Sequence, residues 1–147
     1  MQRRNFLTLM LGAVATLFLQ PFNALAALWN KSAFDAVKIE DSTKILAIHD
    51  EINSNNIQII APDLAENGAV VQVEVKSNIA NTEAIFILVE KNPTSLIAHF
   101  VLSSEMDPYI VTRIKMAETS DIKIVVKAGT QYFSRSKNIV VLENGCG

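Results

Sequence analysis

The sequence has little of what most active sites are made from. Its 147 residues include one cysteine, two histidines, one tryptophan and five glycines. A single cysteine excludes an internal disulfide, a C-x-x-C redox pair and any multi-thiolate metal site. The histidines, His49 and His99, stand far apart and form no H-x-x-H or H-E-x-x-H pattern. A metal site would need both of them and scattered carboxylates, so no metal ligands and no cofactor are expected. So few glycines exclude a Gly-rich phosphate loop. Positive charge is not in excess either: 13 Lys and Arg face 15 Asp and Glu, for a net charge of −2. Nucleic acid and anionic membrane surfaces are therefore poor candidates for partners.

Long apolar runs are also scarce, and the longest is at the front. Arg3 and Arg4 precede an apolar stretch from Phe6 to Leu19, which is followed by Gln20, Pro21 and the A-x-A triplet Ala24-Leu25-Ala26. The stretch is shorter than the roughly 20 residues a bilayer span needs. It has the layout of a secretory signal peptide over residues 1–26. The paired arginines with Phe6 and Leu7 point to the twin-arginine route, which exports folded proteins. An ordinary Sec signal with two basic residues is the alternative. Removing two of the 13 basic residues and none of the 15 acidic ones leaves a mature net charge of 11 − 15 = −4. The mature chain is expected in the periplasm, with no membrane segment. An unpaired thiol in that compartment implies intermolecular pairing or a reactive role.

The rest reads as one domain, residues 27–143, with a tail at 144–147. Ala33, Phe34 and Val37, then Ile45, Leu46, Ile48 and Ile52, recur at helical spacings. Asp41-Ser42 is placed to cap the second run, and Asn53 to Asn56 to end it. From Ile57 the period changes to two. Val71, Val73 and Val75 alternate with Gln72, Glu74 and Lys76, and Ile122, Ile124 and Val126 form a second alternating set. Residues 84–91, AIFILVEK, are apolar on both faces, as in a strand crossing the middle of a sheet; a large partner face is the other reading of 84–89. Seven or eight strands follow, broken by turn signals: Pro62 and Asn67-Gly68, where glycine tolerates positive φ, and Lys91-Asn92-Pro93. The fold class is mainly β: an immunoglobulin-like β-sandwich with a short N-terminal helical extension.

Most polar residues have a plain structural reading. Asp63, Glu66 and Glu83 read as solvated turn and edge residues, and Trp29 as a packing residue. Arg113 and Lys115 share one strand face, open to solvent, an acidic partner or an anionic adduct. Cys146 differs, because Gly145 and Gly147 flank it and Asn144 precedes them. Glycine is the most permissive backbone, so residues 144–147 read as a flexible arm. An extended chain from Leu142 to Gly147 spans on the order of 15–20 Å. A thiol on such an arm enters another protein's pocket more readily than it builds its own. That is the geometry of a tethered carrier rather than an enzyme. Glu143 and a nearby terminal carboxylate disfavour the thiolate, so activation is expected inside a partner's site. An incidental cysteine on a frayed end is the alternative.

Four segments then resemble one family: APDLAENGAVVQVEV, VEKNPTSLIAHF, TRIKMAETSDIKIVVKAG and the terminal NGCG. Together they look like the sulfur carrier subunit SoxY of the thiosulfate-oxidising Sox system, from about Ala33 to Gly147. The resemblance implies a β-sandwich that pairs with a SoxZ-like β-sandwich subunit as a heterodimer. It implies that Cys146 receives thiosulfate oxidatively. Sox enzymes then act on the cysteine-bound sulfur, releasing sulfate and passing on the remaining sulfur.

One feature departs from the family. Its tail is usually G-G-C-G-G, whereas Asn144 replaces the first glycine here and the last is missing. Asparagine tolerates positive φ nearly as well, but the shorter arm points to a divergent carrier as one option. An inert sandwich module and a free-standing thiol enzyme are the others. The sequence leaves open the sulfur donor, the partner face and the resting state of Cys146.

Overall fold

The computed structural model describes residues 30–143. The signal peptide, Arg3, Arg4, the Ala26 cleavage point and Trp29 lie outside the described residues. Two short helices come first, α1 (Lys31–Asp35) and α2 (Ile39–Ile45). Nine strands follow among the described residues: β1 (Ile52–Asn53), β2 (Ile57–Ile60), β3 (Leu64–Asn67), β4 (Val71–Ser77) and β5 (Thr82–Val89), then β6 (Leu96–Val101), β7 (Tyr109–Ile114), β8 (Ser120–Ala128) and β9 (Gln131–Glu143).

The second helix is shorter than the apolar spacing predicts. Ser42 is not a cap but sits inside α2, and Lys38 is the N-cap. The helix stops at Ala47, which adopts φ 54°. Ala47 N–H bonds Lys44 O at 3.1 Å and Ile48 N–H bonds Thr43 O at 2.8 Å, the paired bonds that close a helix C-terminus. Glycine usually occupies that left-handed position, and alanine there gives no stop signal in the sequence. Ile48 therefore packs past the helix end, and Ile52 lies in β1. Ala47→Gly is expected to stabilise the fold by about 1 kcal/mol, since it removes a left-handed Cβ. Thermal or urea unfolding of that variant checks it.

The strands form two sheets. A six-stranded sheet runs β1-β9-β8-β5-β6, with β3 also on β9, and a three-stranded sheet runs β2-β4-β7. Alternation works as the sequence implies. Val71, Val73 and Val75 from β4 meet Ile85, Ile87, Ile122, Ile124 and Val126 from the large sheet in one buried cluster. The other face of β5 presents Ala84, Phe86 and Leu88 to Ala33, Ile48 and their neighbours. Residues 84–89 are thus core on both faces rather than a partner surface. Ser42 Oγ donates to Ala33 O at 3.1 Å and lies 2.7 Å from Ser95 Oγ, tying α2 to the start of β6.

Three details differ from the sequence reading. The segment around Pro62 is not all turn: Leu64–Asn67 forms β3, parallel to the end of β9. Gly68 takes no positive φ; among described glycines only Gly129 does, at 62°, in the two-residue β8–β9 hairpin loop. The runs GTQYFSRS and NIVVLE join into one 13-residue strand, β9. Arg135 and Lys137 hold its middle. Both occupy inward positions at the sandwich edge and donate to β2-side carbonyls, Arg135 to Ile57 O at 2.7 Å and Lys137 to Ala61 O at 2.6 Å.

Candidate functional site

Asn144, Gly145, Cys146 and Gly147 lie outside the described residues. The structure does show what they grow from. Strand β9 stays paired with β3 to its last residue, while its ladder with β8 ends at Ile139. On one side β3 runs parallel, with Leu64 opposite Val140, Ala65 opposite Val141 and Asn67 opposite Glu143. Val140 N–H donates to Asp63 O at 2.9 Å, and Gly68 N–H donates to Glu143 O at 2.8 Å. On the other side β8 begins only at Ser120, and Thr119 extends it. Val141 N–H donates to Thr119 Oγ1 at 2.9 Å.

A further link reaches the second sheet, where Met116 N–H bonds Gly68 O at 2.8 Å. The loop above is pinned by Asn92, buried at this end of the sandwich. Its amide donates to Lys115 O at 2.7 Å and accepts from Ala117 N–H at 2.8 Å. Inward-facing Ile139 and Val141 are buried. The chain is therefore held rigidly up to Glu143. Only Asn144 and Gly145 separate that point from Cys146, so the cysteine can stand on the order of 10 Å from the last fixed position. This is shorter than the 15–20 Å estimated for the whole stretch from Leu142 to Gly147.

The remaining candidates are scattered. His99 sits on edge strand β6 and stacks on Phe86, with ring centroids 4.3 Å apart. Burial holds its pKa below the ordinary histidine value. His49 is exposed beyond α2, edge-on to Tyr132 at 5.8 Å. Among the described residues no three His, Cys, Asp or Glu side chains are grouped to hold a metal ion. Arg113 and Lys115 are exposed on and just beyond β7. Asp63 pairs with Lys137 at 2.9 Å, and Glu83 with Lys127 at 2.9 Å. The Lys127 hydrogen bond keeps the Glu83 carboxyl below its usual range. No described helix is long and apolar enough to cross a membrane.

The His99 shift has a consequence for stability. Folded His99 binds a proton less readily than the unfolded chain does. As pH falls below about 6.5, the unfolded chain gains the proton first and stability drops. The loss levels off once pH is below the lowered folded value. His99→Gln is expected to flatten that acid limb, measured as urea midpoints between pH 7 and 5.

Comparison with known proteins decides the family. The family described as sulfur oxidation protein SoxY matches residues 37–146, which spans both sheets and ends on the cysteine. The chain belongs to the SoxY family. Among solved structures, the sulfur carrier protein SoxY from Chlorobium limicola f thiosulfatophilum superposes with a TM-score of 0.66 at 32% identity. The alignment covers 74% of this chain and 96% of that one. A superoxide reductase (neelaredoxin) from Ignicoccus hospitalis aligns at 14% identity and a TM-score of 0.49, over 59% of this chain and 80% of its own. No curated protein sequence matches. The first of these structures and the family match place this SoxY member among sulfur carriers, with the immunoglobulin-like sandwich as its body.

Which residues sequence reasoning missed is now clear. β3, Thr119 and Gly68 secure the root of the arm, yet none carries a functional signature. β3 buries only Ala65 among its four residues, so it leaves no alternation to read. Thr119 acts through one hydroxyl, which composition and spacing do not reveal.

Proposed function

We propose that this SoxY family member is a periplasmic, non-enzymatic sulfur carrier whose working group is Cys146. The observation that carries this reading is the family match, which spans residues 37–146 and ends on Cys146. The rigid root at Glu143 supports it, because a carrier needs a fixed body beneath a thiol that other proteins can take up. In the loading step thiosulfate condenses with the thiol: an S–S bond forms, one proton leaves, and two electrons pass to a partner enzyme. Water then cleaves the terminal sulfonate from the adduct, releasing sulfate and leaving a persulfide on Cys146. The Sox enzymes perform both steps, and the carrier supplies the sulfur atom's anchor.

The twin-arginine leader at Arg3 and Arg4 supports export of a folded protein. A SoxZ-like β-sandwich subunit fits as the travelling partner in a heterodimer. Asn144, where the family usually has glycine, favours a second, narrower reading: a divergent carrier serving other sulfur-compound partners.

The test is the intact mass of the protein isolated from the periplasm, before and after reductant. The expected result is a mature chain starting at Ala27 with a reductant-removable sulfur increment. A mass unmodified in cells that are oxidising thiosulfate would overturn the carrier reading and leave an inert sandwich module.

A further inference from the structure

The free edge of β2 is closed at two points and open between them. Ser77 N–H turns toward β7 and donates to Pro108 O at 2.9 Å, whereas Asn78 N–H donates to Asn56 O at 2.8 Å. Backbone groups alternate sides along a strand, so Gln58 and Ile60 bond β4, while Ile57, Ile59 and Ala61 turn their N–H and C=O away from it. Arg135 Nη1 closes Ile57 O at 2.7 Å, and Lys137 Nζ closes Ala61 O at 2.6 Å. The N–H of Ile59 lies between them with no strand to pair. Beside it opens a cleft of about 450 Å³, lined by Gln58, Ile59, Ile60, Arg135, Ser136 and Lys137.

Edge capping alone does not account for this arrangement, because closing a carbonyl takes one N–H and no cavity. Arginine carries five N–H donors in a planar fork. Nη1 meets Asn55 O and Ile57 O, and among the described residues Nε and Nη2 meet no acceptor. Lys137 also pairs with Asp63 at 2.9 Å, but that carboxylate is 94% exposed, so water screens the pair. The cleft cannot take an added strand, since two of the carbonyls such a strand would use are occupied. What it offers is a guanidinium edge, a backbone N–H and a second cation, the donor set of an oxyanion site.

We propose that this cleft binds a tetrahedral dianion of the sulfate class. Its oxygens accept from Ile59 N–H and the unused edge of Arg135, and Lys137 balances the second charge. The carrier reading above brings two such dianions to this protein, thiosulfate and sulfate. Thiosulfate is the better fit, because its terminal sulfur is weakly hydrated and can lie against the exposed Ile60. Lys137 is six residues before Glu143, about 20 Å along β9. The arm reaches back only about half of that, so the site holds the free anion apart from Cys146.

The test is a titration of nitrogen-15-labelled, full-length mature protein with sodium thiosulfate, sodium sulfate and sodium chloride at one ionic strength, without Sox enzymes or oxidant. The Ile59 amide signal is expected to shift saturably with thiosulfate, with a higher Kd for sulfate, and not with chloride. Arg135→Gln is expected to raise the thiosulfate Kd by about tenfold or more, the scale of a lost charge-assisted hydrogen bond. Asp63→Asn removes the competing carboxylate, leaves every donor of the cleft in place and lowers the Kd severalfold. Cys146→Ser binds as the parent does.

An Ile59 signal that moves no more with thiosulfate or sulfate than with chloride would overturn the site. So would an unchanged Kd in Asp63→Asn, or in Arg135→Gln with a parental urea midpoint. Sulfate binding as tight as thiosulfate would overturn the assigned preference and assign the cleft to tetrahedral dianions in general. The sulfur increment on Cys146 is read by mass in a separate experiment, so failure here leaves the carrier reading standing.

Discussion

Cys146→Ser is expected to abolish covalent sulfur loading completely and leave the fold untouched. The reason is chemical. The adduct requires a sulfur–sulfur bond, and a serine hydroxyl cannot form one. No second thiol exists to take over, because the sequence has one cysteine. The two hydrophobic clusters close without it, built from residues between Ala33 and Val141. Unfolding free energy should stay within about 0.5 kcal/mol of the parent, as for substitutions away from packed features. Loading is measured by mass after incubation with thiosulfate and the Sox enzymes, and stability by urea denaturation. Residual loading of the serine variant would show that the sulfur sits elsewhere.

The largest structural effect belongs to the middle of the large sheet. Ile87 on β5 pairs with Ile124 of β8 on one side and Ala98 of β6 on the other, and it is fully buried. Ile87→Ala removes several methyl and methylene contacts and leaves a cavity between rigid strands that cannot close around it. The cost is about 3–4 kcal/mol. A domain of this size has roughly 5–15 kcal/mol in total, so the variant loses a large share of it. The urea midpoint should fall with the slope unchanged. The contrast with Leu142→Ser is instructive. The two residues have similar apolar bulk, but Leu142 is exposed, so its loss should barely alter stability.

Much of the sandwich was legible because burial and chain period coincide. Val71, Val73 and Val75 alternate with polar residues and all three are buried. The run at 84–89 is apolar on both faces because the helices cover one side and the small sheet the other. The reading failed where local signals ran against tertiary demands. Ala47 ends α2 in a conformation normally given to glycine, so the sequence showed no stop. Arg135 and Lys137 occupy inward positions but reach carbonyls at the edge of β2, so the apolar alternation of the one long strand β9 is interrupted at its middle. β3 is an edge strand whose pairing with β9 is parallel and distant in sequence, and its flanking Pro62 and Asn67-Gly68 read as turn. The thiol was conspicuous from the outset. The scaffold that fixes its starting point was not, because Thr119, Gly68 and Asn92 act through a pair of hydrogen bonds each, which no spacing or composition reveals.

The most direct measurement is peptide mass mapping of the mature protein after exposure to thiosulfate and the Sox enzymes. Lys137 is the last basic residue, so trypsin releases Asn138 to Gly147 as one peptide containing the only cysteine. The expected result is a thiosulfate-derived increment on that peptide alone, which the hydrolase converts to a persulfide and reductant removes. A peptide that stays unmodified while the enzymes oxidise thiosulfate, or an increment found on any other peptide, would contradict Cys146 as the sulfur carrier.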